Sequence, residues 1–187
     1  TAIDRRFINS GGSLMRGVEL DANLNGELAG GRWNINLNGS LITVFRTKGV
    51  EALPYSRNLV GEYVQYYSLP IRWKHTLNFG YTRGNWSHNL SQLHRDGYLD
   101  EPPTSVTNGS YIPASWNPRV SGYTTYNYNL TWTGIHNLKL GFGIKNLTDK
   151  DPPFTAHKND FAAGAAWEPR IADPRGRAYT LLAEYNF

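Results

Sequence analysis

The chain has 187 residues, of which 40% are hydrophobic, 18% charged and 13% aromatic. It has no cysteine, which excludes disulfide scaffolds, CxxC redox motifs and thiolate metal sites. No apolar run approaches the ~18 residues a membrane-spanning helix needs, and 19 Lys+Arg against 15 Asp+Glu give only +4, too little for a strong nucleic-acid binder. What remains is 12 Tyr, 7 Phe and 6 Trp in a chain rich in Asn, Thr, Ser and Gly, a mixture suited to strands with one polar and one aromatic face.

Alternation of apolar and polar residues is the primary strand signal. In residues 14–26, Val18, Leu20, Ala22 and Leu24 alternate with Glu19, Asp21, Asn23 and Asn25. In 31–47, Trp33, Ile35, Leu37 and Leu41 alternate with Arg32, Asn34, Asn36, Asn38 and Ser40. In 70–83, Ile71, Trp73, Leu77, Phe79 and Tyr81 oppose Arg72, Lys74, Thr76 and Asn78. The pattern is weaker in 85–99, where Trp86, Leu90 and Tyr98 share a face with His88, Gln92 and His94. A strand is still expected there, between two clear turns. Residues 120–133 (Tyr126, Tyr128, Leu130, Trp132) and 137–146 (Leu138, Leu140, Phe142, Ile144) follow. The seventh strand, 177–187, puts Tyr179, Leu181, Ala183, Tyr185 and Phe187 on one face.

Several of these strands exceed the usual five or six residues and match the ~9 to 11 of a tilted strand crossing a bilayer. Trp33, Trp73, Tyr81, Trp86, Trp132, Tyr179 and Tyr185 recur near the ends of the apolar stripes, as in the aromatic girdles of membrane barrels. The connections alternate short and long. Gly26 to Gly31, Arg83 to Asn85 and Gly134 to His136 are short; residues 48–69, 101–119 and 147–176 are long. Outer-membrane barrels have short periplasmic turns and long outer loops. Seven is an odd number for a closed bacterial barrel, and open edges are not tolerated in lipid. The expectation is therefore all-β: an antiparallel transmembrane β-barrel segment, part of a larger barrel. The alternatives are an eighth strand at residues 2–9, giving a small complete outer-membrane protein with a structural or adhesive role, and a soluble β-sandwich glycan-binding module.

No catalytic constellation, nucleophile elbow or phosphate-cradling glycine loop is present, so no catalytic residue and no cofactor is expected. Asp21, Asn23, Asn25 and Gly26 mimic the start of a calcium loop, but the twelfth position is Arg32 rather than a bidentate Glu. His88 and His94 share a face but stand ~20 Å apart along a strand, so no metal site is expected. The NxS/T triplets at Asn38, Asn85, Asn89, Asn108, Asn129 and Asn146 reflect polar-face composition. Binding belongs on the long loops, since loops on a rigid wall commonly carry recognition. Their aromatic and basic residues are the ligand candidates: Tyr111, Trp116, Arg119, Phe154, His157, Lys158, Trp167 and Arg170. Glu19, Asp21, Arg32, Arg72 and Lys74 are expected to face the lumen.

The run Asn146-Leu147-Thr148-Asp149-Lys150-Asp151-Pro152-Pro153-Phe154 and the later Asp173-Pro174-Arg175-Gly176-Arg177 resemble the end of proteobacterial TonB-dependent outer-membrane receptors. Gly17-Val18-Glu19-Leu20, Arg72-Trp73-Lys74-His75 and Gly97-Tyr98-Leu99-Asp100 are similar to other barrel-wall elements of that family. The resemblance implies one domain over 1–187, the C-terminal part of a 22-stranded barrel in the bacterial outer membrane. A separate N-terminal plug fills the lumen, and neither the plug nor the TonB-contacting peptide lies in these residues. The implied function is uptake of a scarce nutrient: a ferric siderophore, a carbohydrate or a cobalamin-like ligand. The implied partners are outer-membrane lipid, the remaining barrel and plug, the TonB-ExbB-ExbD system, and the barrel-assembly machinery; nucleic acid is not among them. Thr180, Leu181, Tyr185 and Phe187 resemble the signal read by that machinery, with Leu182 standing where the pattern has glycine.

Overall fold

Aromatic and branched residues at alternate positions, with Asn and Thr between them, favour extended backbone that is packed on one face and hydrated on the other. The computed structural model describes residues 11–63, 69–101, 117–156 and 166–187. In chain order its strands are β1 (Gly12–Leu28), β2 (Gly31–Lys48), β3 (Trp73–Arg83), β4 (Trp86–Arg95), β5 (Tyr98–Leu99), β6 (Arg119–Val120), β7 (Tyr123–Ile135), β8 (Leu138–Lys145) and β9 (Ala178–Tyr185). Seven of them form one antiparallel sheet in the order β1-β2-β3-β4-β7-β8-β9, and β5 pairs with β6 separately. There is no helix among the described residues. Residues 2–9, the alternative eighth strand, lie outside them.

All seven expected strands are present, with corrections at their ends. The strand expected over 85–99 stops at Arg95. At Gly97 an added Cβ would lie 2.3 Å from the Val120 carbonyl oxygen. The chain crosses its partner there at backbone contact, and Tyr98–Leu99 turns off to pair with Arg119–Val120. The strand expected from residue 120 accordingly restarts at Tyr123. The third strand begins at Trp73, beyond Pro70, which has no N–H to donate.

The register aligns the alternation across the whole sheet. One row reads Leu24, Ile35, Phe79, Leu90, Tyr128, Ile144 and Tyr179. The row beside it, on the opposite face, reads Asn25, Asn34, Gly80, Asn89, Asn129, Gly143 and Thr180. Among the described residues no second layer covers the apolar face: Val18 is 62%, Leu24 60% and Leu181 82% exposed. A soluble sandwich would bury these residues between its sheets, so the sandwich alternative falls.

Two glycines on the apolar face leave room for aromatic rings. An added Cβ at Gly39 would meet the Trp73 ring at 2.3 Å, and one at Gly31 would meet Tyr81 at 2.6 Å. Rings of β3 thus lie across glycines of β2 and cover backbone that a strand glycine would expose. The β1–β2 turn is tight, with Ala29 and Gly30 both at positive φ, 50° and 73°, as primed two-residue hairpins require.

The weak alternation of β4 has a cause that only the register shows. Spacing along one strand associates only His88 with His94, but pairing of β3 with β4 sets His75 opposite His94, their rings stacked with centroids 5.1 Å apart. Trp73 Nε1 donates to His75 Nδ1 at 2.9 Å, so the other ring nitrogen carries the proton toward Gln92 Oε1, 3.0 Å away. Gln92 Nε2 donates to Tyr126 Oη at 2.8 Å. Polar groups within the apolar face thus partner one another, which a lipid-facing surface requires.

Candidate functional site at the loop end of the wall

The three short turns lie at one end of the sheet and the three long connections at the other. The long connections share a core. Tyr63, Ile71, Tyr98, Val120, Tyr123, Ile171 and Ala172 are buried together, and Leu69 packs against them. Backbone bonds tie the loops to one another: Tyr63 N to Leu99 O at 2.8 Å, Leu99 N to Gly61 O at 2.7 Å and Asp100 N to Pro118 O at 2.7 Å. The Asp100 carboxylate accepts from Thr155 Oγ1 at 2.8 Å and Ala156 N at 2.7 Å. Burial holds the Tyr98 phenol well above its ordinary pKa, so it stays neutral.

The segment 146–154 is a clamp. Asn146 is buried, with φ +51°. Its side chain bonds both backbone groups of Lys150: Oδ1 accepts from N at 2.9 Å and Nδ2 donates to O at 3.0 Å. Its own N–H donates to Asn127 Oδ1 of β7 at 2.9 Å. Asp149, also at positive φ (52°), accepts from Arg177 N at 2.8 Å and so joins the exit of β8 to the entry of β9. Asn and Asp are the non-glycine residues that best tolerate this backbone. Leu147 and Asp151 are exposed, and Pro152 and Pro153 are partly buried.

The second motif latches the last loop to the wall. Asp173 receives the Arg175 guanidinium at 2.7 Å and the Lys145 ammonium of β8 at 2.7 Å. The Arg175 hydrogen bonds, then that of Lys145, hold the Asp173 carboxyl well below the usual carboxylate range. Tyr123 Oη donates at 3.4 Å to the carbonyls of Lys150 and Asp173. A group with a depressed folded pKa adds stability above its unfolded value, near 3.8, and loses it as pH falls further. The Arg175 amide, which donates to Asp173 Oδ1 at 3.1 Å, should therefore keep its exchange protection from neutral pH to about 4 and lose it below. In Asp173→Asn that protection should be lower throughout and should lack the acid-dependent loss.

The ligand candidates separate by position. Tyr111, Trp116, His157 and Lys158 lie outside the described residues. Phe154 is 71% exposed. Arg119 is exposed within β6 and Trp167 is half-buried. Arg170 is committed to the loop core: its Nε and Nη2 meet both oxygens of buried Glu168 at 2.7 and 3.0 Å, and its guanidinium lies 5.3 Å from the Tyr63 ring centroid. Sequence reasoning missed Arg95 and Lys145. Both line a cavity of about 250 Å³ beneath the 169–173 loop, on the polar face with Tyr123, Thr125 and Asn127. Strand parity alone places them on that face; the loop above them is set by tertiary folding. Asp21 and Asn23 are engaged by the wall itself, with Asn38 Nδ2 donating to Asp21 at 2.7 Å and Asn36 Nδ2 to Asn23 at 2.5 Å. No group of three or more metal-ligating side chains occurs among the described residues.

Long antiparallel strands, an uncovered apolar face backed by an amide-lined one, and loops gathered at one end define the wall of a transmembrane β-barrel. The family model for the TonB-dependent receptor-like β-barrel matches residues 1–147, and the chain belongs to that family of outer-membrane transport receptors, which bind ligands and work with TonB. Comparison with curated protein sequences gives no match. Among solved structures, the siderophore receptor PiuA from Acinetobacter baumannii is similar at 19% identity and a TM-score of 0.57, over 94% of this chain and 22% of its own. The ferric enterobactin receptor PfeA from Pseudomonas aeruginosa (18%, TM-score 0.55, 92% and 22%) and the copper transporter OprC (17%, 0.54, 94% and 23%) share the same fold. The chain thus spans less than a quarter of the length of each of these structures.

Proposed function

We propose that this chain supplies barrel wall and outer loops to a TonB-dependent receptor of the bacterial outer membrane that takes up a scarce nutrient and performs no enzymatic step. The observation that carries the reading is the seven-strand apolar face in a chain of this family. The loops at one end contribute to ligand capture, with exposed Phe154 and Arg119 as the described candidates. The candidate ligands remain a ferric siderophore, a carbohydrate or a cobalamin-like molecule; two of the structural neighbours bear siderophore names and one a copper name. A plug domain and the TonB-ExbB-ExbD system complete the machine. The same reading assigns Thr180, Leu181, Tyr185 and Phe187 to the segment read by the barrel-assembly machinery. Leu181 and Tyr185 point from the open apolar face, and Tyr185 meets the Phe187 ring edge-on at 5.2 Å.

The test is uptake of radiolabelled ferric siderophores, oligosaccharides, cobalamin and copper by cells lacking the full-length receptor or lacking TonB. Loss of the same ligand in both strains is expected. Uptake of all of them unchanged by receptor deletion, with the protein absent from outer-membrane fractions, would overturn the reading.

A further inference from the structure

Cross-strand charges on the polar face are paired by sign. Glu27 stands opposite Arg32. Lys139 stands opposite Glu184, with 3.5 Å between Nζ and Oε2. Lys145 is held by Asp173 at 2.7 Å. One row near the loop end breaks this rule: Glu19, Ser40, Lys74, Arg95 and Tyr123 succeed one another across β1, β2, β3, β4 and β7. Lys74 and Arg95 are direct partners in that row. Directly opposed residues hold their Cβ atoms about 4.5–5.5 Å apart, and like charges so placed repel.

Among the described residues neither cation has a carboxylate within 4.0 Å. Glu19 lies two strands from Lys74, about 10 Å between backbones, and makes no ion pair with it. Arg95 spends one donor on the Ile171 carbonyl at 3.3 Å, which steadies its guanidinium beneath the loop, and four donors remain. A groove of about 140 Å³ borders both cations, with Asn38, Ser40 and Thr76 in its lining. Two cations set side by side, one of them steadied by the loop, beside amide and hydroxyl groups, complement a carboxylate: a guanidinium fork can meet both oxygens, and an ammonium adds a third bond.

We propose that Lys74 and Arg95 form a seat for a carboxylate presented inside the barrel. The seat rests on the barrel reading above. The carboxylate has two possible sources, a soluble anionic ligand or an acidic side chain of the plug, and one experiment separates them. The purified full-length receptor in detergent at low salt is titrated with citrate by calorimetry, and plug unfolding in urea is followed separately. The parent is compared with K74Q/R95Q and with the charge-conserving K74R/R95K.

Citrate affinity lowered at least about tenfold in K74Q/R95Q and retained in K74R/R95K assigns the carboxylate to a soluble ligand. No citrate binding by the parent, with plug unfolding at lower urea only in K74Q/R95Q, assigns it to the plug. If neither quantity distinguishes K74Q/R95Q from the parent, or if the variant only gains stability through relieved repulsion, the seat is overturned. These are equilibrium readouts, so they can fail while TonB-dependent uptake is demonstrated, and the reverse.

Discussion

Asn146→Ala should destabilise the loop end by about 2–4 kcal/mol. Three contributions add. The substitution removes both side-chain bonds to Lys150, each worth about 1 kcal/mol net. It leaves the Lys150 backbone groups to find other partners. It also places alanine at φ +51°, where non-glycine residues other than Asn and Asp are strained by about 1 kcal/mol or more. Asn146→Gly should recover the backbone part alone and fall between the two. The check is the urea midpoint of the full-length receptor refolded into bilayers, together with protease sensitivity of the 146–177 connection. Wild-type behaviour of Asn146→Ala would show that the clamp is not what holds the β8–β9 connection.

Phe79→Arg should destabilise the folded receptor by about 2–4 kcal/mol, the cost of an arginine at the lipid-facing midplane of a barrel. Phe79 lies in the middle of the sheet between Ile35 and Leu90 and is 41% exposed. Its neighbour Asn78 points to the opposite face, between Asn36 and Ser91. Asn78→Lys should therefore cost less than about 1 kcal/mol, since lumen-side charge tunes selectivity rather than insertion. Equilibrium unfolding from vesicles of matched thickness compares the two. A soluble sheet would rank them differently, because arginine at a water-exposed position costs little.

The sheet was legible in the sequence because its physics is local. Residues Leu24, Ile35, Phe79 and Leu90 announce their face by parity alone, and a one-residue slip would reverse every one of them. Strand ends were less legible. Gly97 ends β4 because of the Val120 carbonyl, some twenty residues away in sequence. The loop core was illegible: Tyr63, Tyr98, Val120 and Ile171 meet only through three separate connections, and nothing periodic marks them. The motif residues Asn146 and Asp149 were visible as family resemblance, but their role as clamps depends on backbone angles that composition does not report. Arg170 has a partner that its residue type does not report. Its chemistry suits an anionic ligand, yet Glu168, two residues earlier, holds it. Lys74 was legible as a polar-face residue, whereas its like-charged partner Arg95 required the β3–β4 register.

Everything depends on which face of the sheet meets lipid. Nitroxide labels placed singly at residues 76 to 82 along β3 of the full-length receptor, reconstituted in bilayers, read this directly. Collision with oxygen reports acyl chains, and collision with a nickel chelate reports water. Labels at 77, 79 and 81 should favour oxygen, and those at 76, 78, 80 and 82 the chelate, in strict alternation. Uniform chelate access along the strand, or the same alternation with the phases exchanged, would contradict the account.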